Sequence, residues 1–486
     1  MQPKKYLYTI VLCTALAINF AALANPVQRV FDITQYGAKA DGRTNNALAL
    51  QKAIDACWRA GGGKVLVPGA GIYLAGPFNL RSHVQFEVAA DATLLASPDE
   101  KLYTESAFRA NKGEGTIWIG GKDLEGVTLC GGGTIDGNGI TFMGKELGDS
   151  YELKPFNVVD PRPHLLTLIN CKQLRIRDLV IRNSAYWTIH LVGCNDVVIN
   201  GITLLNSIKV RNSDGIDLDH SKNVRISDCY IESGDDCICL KNRREYQEYG
   251  ACTNIVVSNC TMTSSSCAIK IGSENMDSIS HVLINNCIIK NSNRGLGIQN
   301  RDEGTVSDVV FSNILIDAHL FSDVWWGKAE PIYVTAYTRA TTNNKDAGWR
   351  LPPGESKGRV GRVNNIYFSN IKCQSENGIY LSGETADKIT GIYFDNVDLQ
   401  LNKTTNNPGG VYDRRPANVE GLIKGRTSGF YLDQATDITI RNSSVKWGVN
   451  RPSYFAHVLE AHGINNLKVT GLDGEAALPN VLKIVQ

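Results

Sequence analysis

Ten segments of this chain repeat one short pattern, and the repeat length limits what the chain can become. They begin at Leu174, Val197, Val224, Ile255, Val282, Val309, Ile366, Ile392, Ile438 and Leu467. Each reads apolar-x-apolar-x, then a turn residue, then an apolar residue again. The turn position is Asp178, Gly201, Asp228, Asn259, Asn286, Asn313, Asn370, Asn396, Asn442 and Gly471, residue types that tolerate the left-handed backbone region. The next position is Leu179, Ile202, Cys229, Cys260, Cys287, Ile314, Ile371, Val397, Ser443 and Leu472, a nearly unbroken inward column. Spacings of 23, 27, 31, 27 and 27 residues in the middle of the series mark a repeat architecture. Alternation rich in Val, Ile, Asn and Gly excludes helical repeats. The leucine-rich signature is absent, and a propeller needs longer repeats of four strands. An all-β parallel β-helix fits, with one short strand and a bend per face and each rung pairing with the next.

A second strand follows in every coil: Ile189–Leu191, Ile216–Leu218, Ile238–Leu240, Ile269–Ile271, Leu296–Ile298, Ile332–Val334 and Ile379–Leu381. The flanking apolar residues point inward, so the middle residues line one outer face. That column reads His190, Asp217, Cys239, Lys270, Gly297, Tyr333 and Tyr380, a mixture of polar, charged and aromatic groups suited to a sugar chain. Two residues before each strand stand Asp214, Asp236, Cys267, Arg294 and Glu330. Ile216 and Ile238 are 22 residues apart. If they occupy adjacent rungs, about 4.8 Å apart, Asp214 stacks on Asp236 with Asp235 beside them. Stacked like charges repel, so a chain that groups them has a use for them. Paired acids cleave glycosidic bonds: one protonates the leaving oxygen and another activates water. Crowding also raises one pKa, so that one acid keeps its proton. The plainer reading is a calcium site or solvated turn aspartates, and Asp217 and Asp219 fit that description well.

Before the repeats, residues 25–115 form an N-terminal cap with the first coils. Thr44 to Ala60 has helical spacing (Leu48, Ile54, Cys57, Trp58) and stops at Gly61-Gly62-Gly63, a helix-ending signal. The glycines follow the helix and so do not form a phosphate cradle; the helix covers an open solenoid end. Residues 318–365 interrupt the period with a loop that contains Trp325 and Trp326 and walls the cleft. The rest of 25–486 reads as one domain.

Residues 1–24 read as a secretory signal: Lys4 and Lys5, an apolar core from Thr9 to Ala21, then Ala22-Leu23-Ala24. Loss of the two lysines takes the formal charge from +1 to −1, which argues against a nucleic-acid partner. No later stretch is apolar enough to span a membrane. The protein is therefore expected to be exported, periplasmic or extracellular, and to act as a monomer. Twelve cysteines remain after cleavage; the compartment permits disulfides, and bridges and packed thiols both stay open.

Three stretches resemble glycoside hydrolase family 28, the polygalacturonases and rhamnogalacturonan hydrolases. They are Phe31-Asp-Ile-Thr-Gln-Tyr-Gly-Ala-Lys-Ala-Asp-Gly, Asn212-Ser-Asp-Gly-Ile-Asp and Ser233-Gly-Asp-Asp-Cys-Ile. The resemblance implies a right-handed parallel β-helix that hydrolyses α-linked galacturonic acid in pectic poly- or oligosaccharides with inversion. It implies Asp235 as general acid, Asp214 and Asp236 as the pair that activates water, and no metal or cofactor. Two departures stand out. Cys267 replaces the family's histidine, and Gly297-Ile298-Gln299 replaces an Arg-x-Lys motif that grips the substrate carboxylate. Either Lys270, Arg294, Arg301 or Lys241 compensates, or that subsite takes a neutral sugar such as rhamnose. Gln299, Asp217, His190, Trp325, Trp326 and Tyr333 complete the expected substrate-binding set. The long loop suggests exo-action. A calcium-dependent polysaccharide lyase and a non-catalytic glycan-binding β-helix are the alternatives of other classes.

Overall fold

The computed structural model describes residues 29–109, 115–147, 153–155, 162–323, 325–340 and 358–486. The leader at 1–24 and the centre of the 318–365 insertion lie outside these residues. The chain winds into a parallel β-helix: strands of successive coils pair in register and form three long parallel sheets around one core. In the first, Lys172–Arg177 pairs with Asn195–Asn200, and that with Lys222–Ser227. In the third, Ile189, Ile216, Ile238, Ile269, Leu296 and Ile332 stack rung upon rung. The same sheet continues past the coils expected from sequence, through Phe430 and Leu459.

The turn column behaves as its residue types require. All ten positions, Asp178 to Gly471, have φ between +50° and +66°. A bend of one left-handed residue lets the chain pass from the first sheet to the second without opening the core. The asparagines also bond along the axis: Asn313 donates to Asn286 at 3.2 Å, Asn370 to Asn313 at 3.1 Å and Asn396 to Asn370 at 2.8 Å. Inside, in-register stacking lines up like side chains. Phe311, Phe368 and Phe394 lie nearly parallel, with ring centres 5.0 and 5.2 Å apart. Cysteines stack the same way, and all twelve described are buried and free, which settles that question in favour of packed thiols.

The helix spans Ala47–Arg59 and lies against the first strands. Its buried face is Ala49, Leu50, Ala53, Ile54 and Cys57, whereas Leu48 and Trp58 are 67% and 48% exposed. Half of the expected stripe is therefore solvent-facing, because small alanines carry the packing where larger side chains would not fit. The helix ends on three left-handed glycines, and at Gly62 a Cβ would lie 2.6 Å from the His83 carbonyl oxygen. No helix among the described residues is long and apolar enough to cross a membrane.

The turn column yields a test of its two contributions. Asn313→Ala loses both the ladder bonds and a residue tolerant of positive φ, and should cost about 2 kcal/mol in denaturant unfolding. Asn313→Gly restores the backbone freedom and should cost roughly half of that; equal losses would mean that the ladder alone matters.

Candidate active site

The acids stand on the bends that lead into the third sheet, and small residues make those bends tight enough to bring them together. Ile216 pairs with Ile238, and the Gly215 amide donates to the Asp236 carbonyl at 2.8 Å, so Asp214 sits directly beside Asp236 on the neighbouring rung. A Cβ on Gly215 would come within 2.4 Å of the Cys237 carbonyl, and one on Gly234 within 2.3 Å of the Val210 carbonyl. Serines fasten the second bend: Ser264 donates to the Asp235 carbonyl at 2.6 Å and Ser265 to the Gly234 carbonyl at 2.7 Å. The outcome is three buried carboxylates, Asp214, Asp235 and Asp236, each with an oxygen within 4.8 Å of the others.

Two ammonium groups stand against this charge. Lys270 Nζ lies 2.7 Å from Asp236, whose other oxygen accepts from Ser266 at 3.2 Å. Lys241 Nζ lies 2.8 Å from Asp217 and 3.7 Å from the centre of the Trp187 ring. Burial works against both cations, but the neighbouring aspartates outweigh it and hold each ammonium well above the usual lysine range. Burial pushes Asp235 up to about 6, with Asp236 adding to the rise. It pushes Asp217 up to about 7, against the pull of Lys241. Burial first, then Asp217 and Asp235, also raise Asp214 well above the carboxylate range. Asp214 Oδ1 is buried without a hydrogen-bond partner among the described residues. Three acids of this spacing can hold a cation or share a proton. Here the ammonium groups of Lys241 and Lys270 already supply positive charge at the cluster.

The acids open into a cleft of about 120 Å³ lined by Phe108, Tyr186, Trp187, Asn212, Lys241, Arg243, Lys270, Ser273, Glu274, Gln299, Trp326 and Pro416. Of the expected residues, the structure brings Asp214, Asp235, Asp236, Lys241, Lys270, Gln299 and Trp326 to this cleft. It does not bring the others. His190 is fully buried beneath Trp187 and the Phe108 segment and faces Asp219 at 3.4 Å. Asp217 is buried under Lys241 and is not solvated. Arg294 is bound to Glu330 at 3.1 and 3.2 Å with its guanidinium over the Tyr333 ring. Arg301 bonds Thr335 and the Tyr333 hydroxyl. Tyr333 is covered and donates to the Asp413 carbonyl at 2.6 Å. Trp325 stands edge-on to Trp326, outside the lining. The outward column is thus roofed over at both ends, by segments far away in sequence.

Several lining residues were not among the expected ones. Trp187 occupies the bend position two residues before Ile189, one rung below Asp214, so extending that column by one coil would have found it. Arg243 follows the third-sheet strand Ile238–Asn242, Glu274 lies near the end of the next one, Cys267–Asn275, and the two face each other at 3.4 Å. Lys241, Arg243 and Arg339 hold Glu274 below the usual range against the effect of burial. Phe108 and Pro416 carry no local signal, because only long-range packing places them.

The sequence and the fold match known proteins. The profile of glycosyl hydrolases family 28 matches residues 63–411, and the chain belongs to that family. A probable polygalacturonase of Vitis vinifera is 34% identical over 259 residues, covering 50% of this chain and 51% of its own. An exo-poly-alpha-D-galacturonosidase of Dickeya chrysanthemi is 29% identical over 259 residues, covering 44% and 42%. The chain therefore spans about half the length of the curated relatives it matches. Among solved structures, the family 28 exopolygalacturonase of Yersinia enterocolitica superposes with a TM-score of 0.68 at 20% identity, over 91% of this chain and 79% of its own.

The Asp217–Lys241 pair is open to a direct test. Asp217→Asn leaves the ammonium buried without its partner and should cost about 3–5 kcal/mol. Asp217→Asn with Lys241→Met should cost less than the single change, whereas additive losses in thermal unfolding would show that the two groups do not interact.

Proposed function

We propose that the protein is an exported glycoside hydrolase that removes galacturonic acid from the ends of α-linked pectic chains. The observation that carries this reading is the trio of buried acids on adjacent rungs at the floor of a cleft closed at both ends. Its roofing speaks for exo-action. On the earlier coils, the Phe108 segment and Tyr246 cover His190; on the later coils, the hairpin of Val411–Asp413 and Leu422–Lys424 lies over Tyr333 and Tyr380. A cleft this short accepts a chain end more readily than a chain middle. The similarity to proteins named as exopolygalacturonases points the same way.

In this reading Asp235 is the general acid. Burial and Asp236 push it up to about 6, so it retains a proton for the leaving oxygen. Asp214 and Asp236, side by side on neighbouring rungs, hold the attacking water. Asp214 is also pushed up, so the cluster titrates as a unit, and the arriving glycosidic oxygen and water decide which carboxyl carries the shared proton. Inversion rests on the family alone, because the acids stand closer than the roughly 6.5–9.5 Å usual for an inverting pair. Export rests on the leader at 1–24.

Asp235→Asn should lower turnover on oligogalacturonides by about 10²–10⁴-fold, and near wild-type turnover would end the proposal. Wild type should release saturated galacturonic acid monomer from the start, while the viscosity of polygalacturonan falls slowly. EDTA should leave the rate unchanged. A calcium requirement with an unsaturated, ultraviolet-absorbing product would instead reveal a lyase.

The pH dependence has a definite sign. Rate should decline as pH rises above about 6, when Asp235 loses its proton. Lys270 favours the Asp235 carboxylate, so Lys270→Met should move this alkaline limb to higher pH and Lys270→Arg should leave it in place. A limb unmoved in Lys270→Met would remove Asp235 as its source.

A further inference from the structure

The segment that roofs the earlier end of the cleft has a second side. Ser106 pairs with Thr116 across it, and Ile117 donates to the Glu105 carbonyl at 2.9 Å. Its Phe108 ring lines the cleft. Tyr246 clasps it there by donating to the Ala107 carbonyl, and Arg109 donates to the Glu245 carbonyl at 2.8 Å. The feet of the same segment, Thr104, Glu105 and Ile117, wall a separate hollow of about 360 Å³ against Leu48 of the capping helix and Asn79. The pairings of Phe78 with Ile119, Ile119 with Leu166 and Leu166 with Ile189 set it three rungs from the coil where Trp187 begins the cleft lining, about 14 Å along the axis. Asn79 is fixed in this hollow. Gln51 donates to its carbonyl at 3.1 Å and accepts from its amide at 2.8 Å. The Asn79 side chain lies across Gly120, where a Cβ would come within 2.4 Å of Oδ1. The side chains of Asn79, Thr104 and Glu105 make no hydrogen bond among the described residues. Glu105 is the one charge in the described lining. Lys52, Lys101 and Lys122 adjoin that lining in sequence but do not belong to it, and Arg81 is bound to Asp55 at 2.9 Å.

We propose that this hollow is a second carbohydrate site, separate from the acid cleft, and that it takes a short uncharged sugar. The apolar face of the sugar ring lies against Leu48, Leu102 and Ile117, which all line the hollow. Its hydroxyls donate to Glu105 and to Asn79 Oδ1 and accept from Asn79 Nδ2 and Thr104, the mixture of an apolar wall and a few fixed polar groups that suits a small ligand. A hydroxyl that donates to the Glu105 carboxylate makes a charge-assisted bond. A sugar acid would set its own carboxylate against Glu105 with no lining cation to offset the repulsion. The segment carrying Phe108 stands between hollow and cleft, so an unbranched chain cannot lie flat through both and each fills independently.

The test is a ligand-observed NMR titration of the full-length protein with galactobiose, arabinobiose and methyl α-rhamnoside. It is run in the Asp235→Asn background so that digalacturonate added as a competitor persists. At least one neutral sugar should bind, and excess digalacturonate should leave that binding in place. Leu48→Ala with Asn79→Ala, confirmed as folded by circular dichroism, should weaken it at least about tenfold, which corresponds to about 1.4 kcal/mol. Glu105→Ala alone should weaken it in the same direction. With Asp235 intact, the double change should leave the rate on digalacturonate where it was. Binding of none of the three sugars, displacement by digalacturonate, or a titration that neither variant moves would overturn the proposal and leave the galacturonide reading standing.

Discussion

In-register parallel stacking governs this molecule. Each rung lies on the next with its residues aligned, so a residue type placed at one position meets its own kind about 4.8 Å away. Apolar groups gain from this, as the Phe311, Phe368 and Phe394 rings show. Amides gain as well, because each Asn can donate to one neighbour and accept from the other. Carboxylates lose. Among the described residues, Asp214 beside Asp236 is the one place on the third sheet where the rule places two acids together, and the structure offsets the repulsion with lysines from the following positions. Lys270 comes from the next rung above Asp236, and Lys241 from the far end of the strand that Asp236 begins. The counter-charge is supplied by the same stacking that created the problem.

Stacking also explains which features could be read from the chain. The ten left-handed turn positions follow from Asn, Asp and Gly at one phase of the repeat, and each has the backbone that its residue type favours. The meeting of Asp214 with Asp236 follows from the position of each acid, two residues before its strand. Both are consequences of register, which is local to a coil and its neighbour. The helix was visible, but its buried face was not. Leu48 and Trp58 look like core residues by spacing, yet Ala49 and Ala53 lie on the side that meets the first coil.

What register does not determine is what covers the outer face. His190, Asp217 and Tyr333 point outward along the expected column and are nevertheless buried. Tyr246 hydrogen-bonds the Ala107 carbonyl, a contact across 139 residues. The hairpin around Tyr412 stacks that ring on Tyr380 at 4.4 Å. Such lids belong to the loops between coils, where length and composition vary, and their landing points depend on packing across many rungs. An outward column therefore marks a face, and only the loops decide how much of that face remains a cleft. Here they reduce a groove running the length of the solenoid to a short pocket over the acids.

The two departures from the family motif are, in space, one. Cys267 stands in the family's histidine position and Gly297 in the position of its first cationic residue, on adjacent rungs where Cys267 pairs with Arg294 and Lys270 with Gly297. A Cβ on Gly297 would lie 2.8 Å from Cys267 Sγ and 3.5 Å from Arg294 Cδ. The thiol thus fills the space that any side chain at 297 would need, and Arg294 closes it from the other side, held there by Glu330 and the Tyr333 ring. Neither change can be reversed alone without displacing the other. The absence of a cationic side chain at position 297 is therefore built into the packing of three consecutive rungs. It does not depend on one surface residue, and for that reason a charge is easier to restore at Gln299, which lines the cleft, than at Gly297, which lies under it.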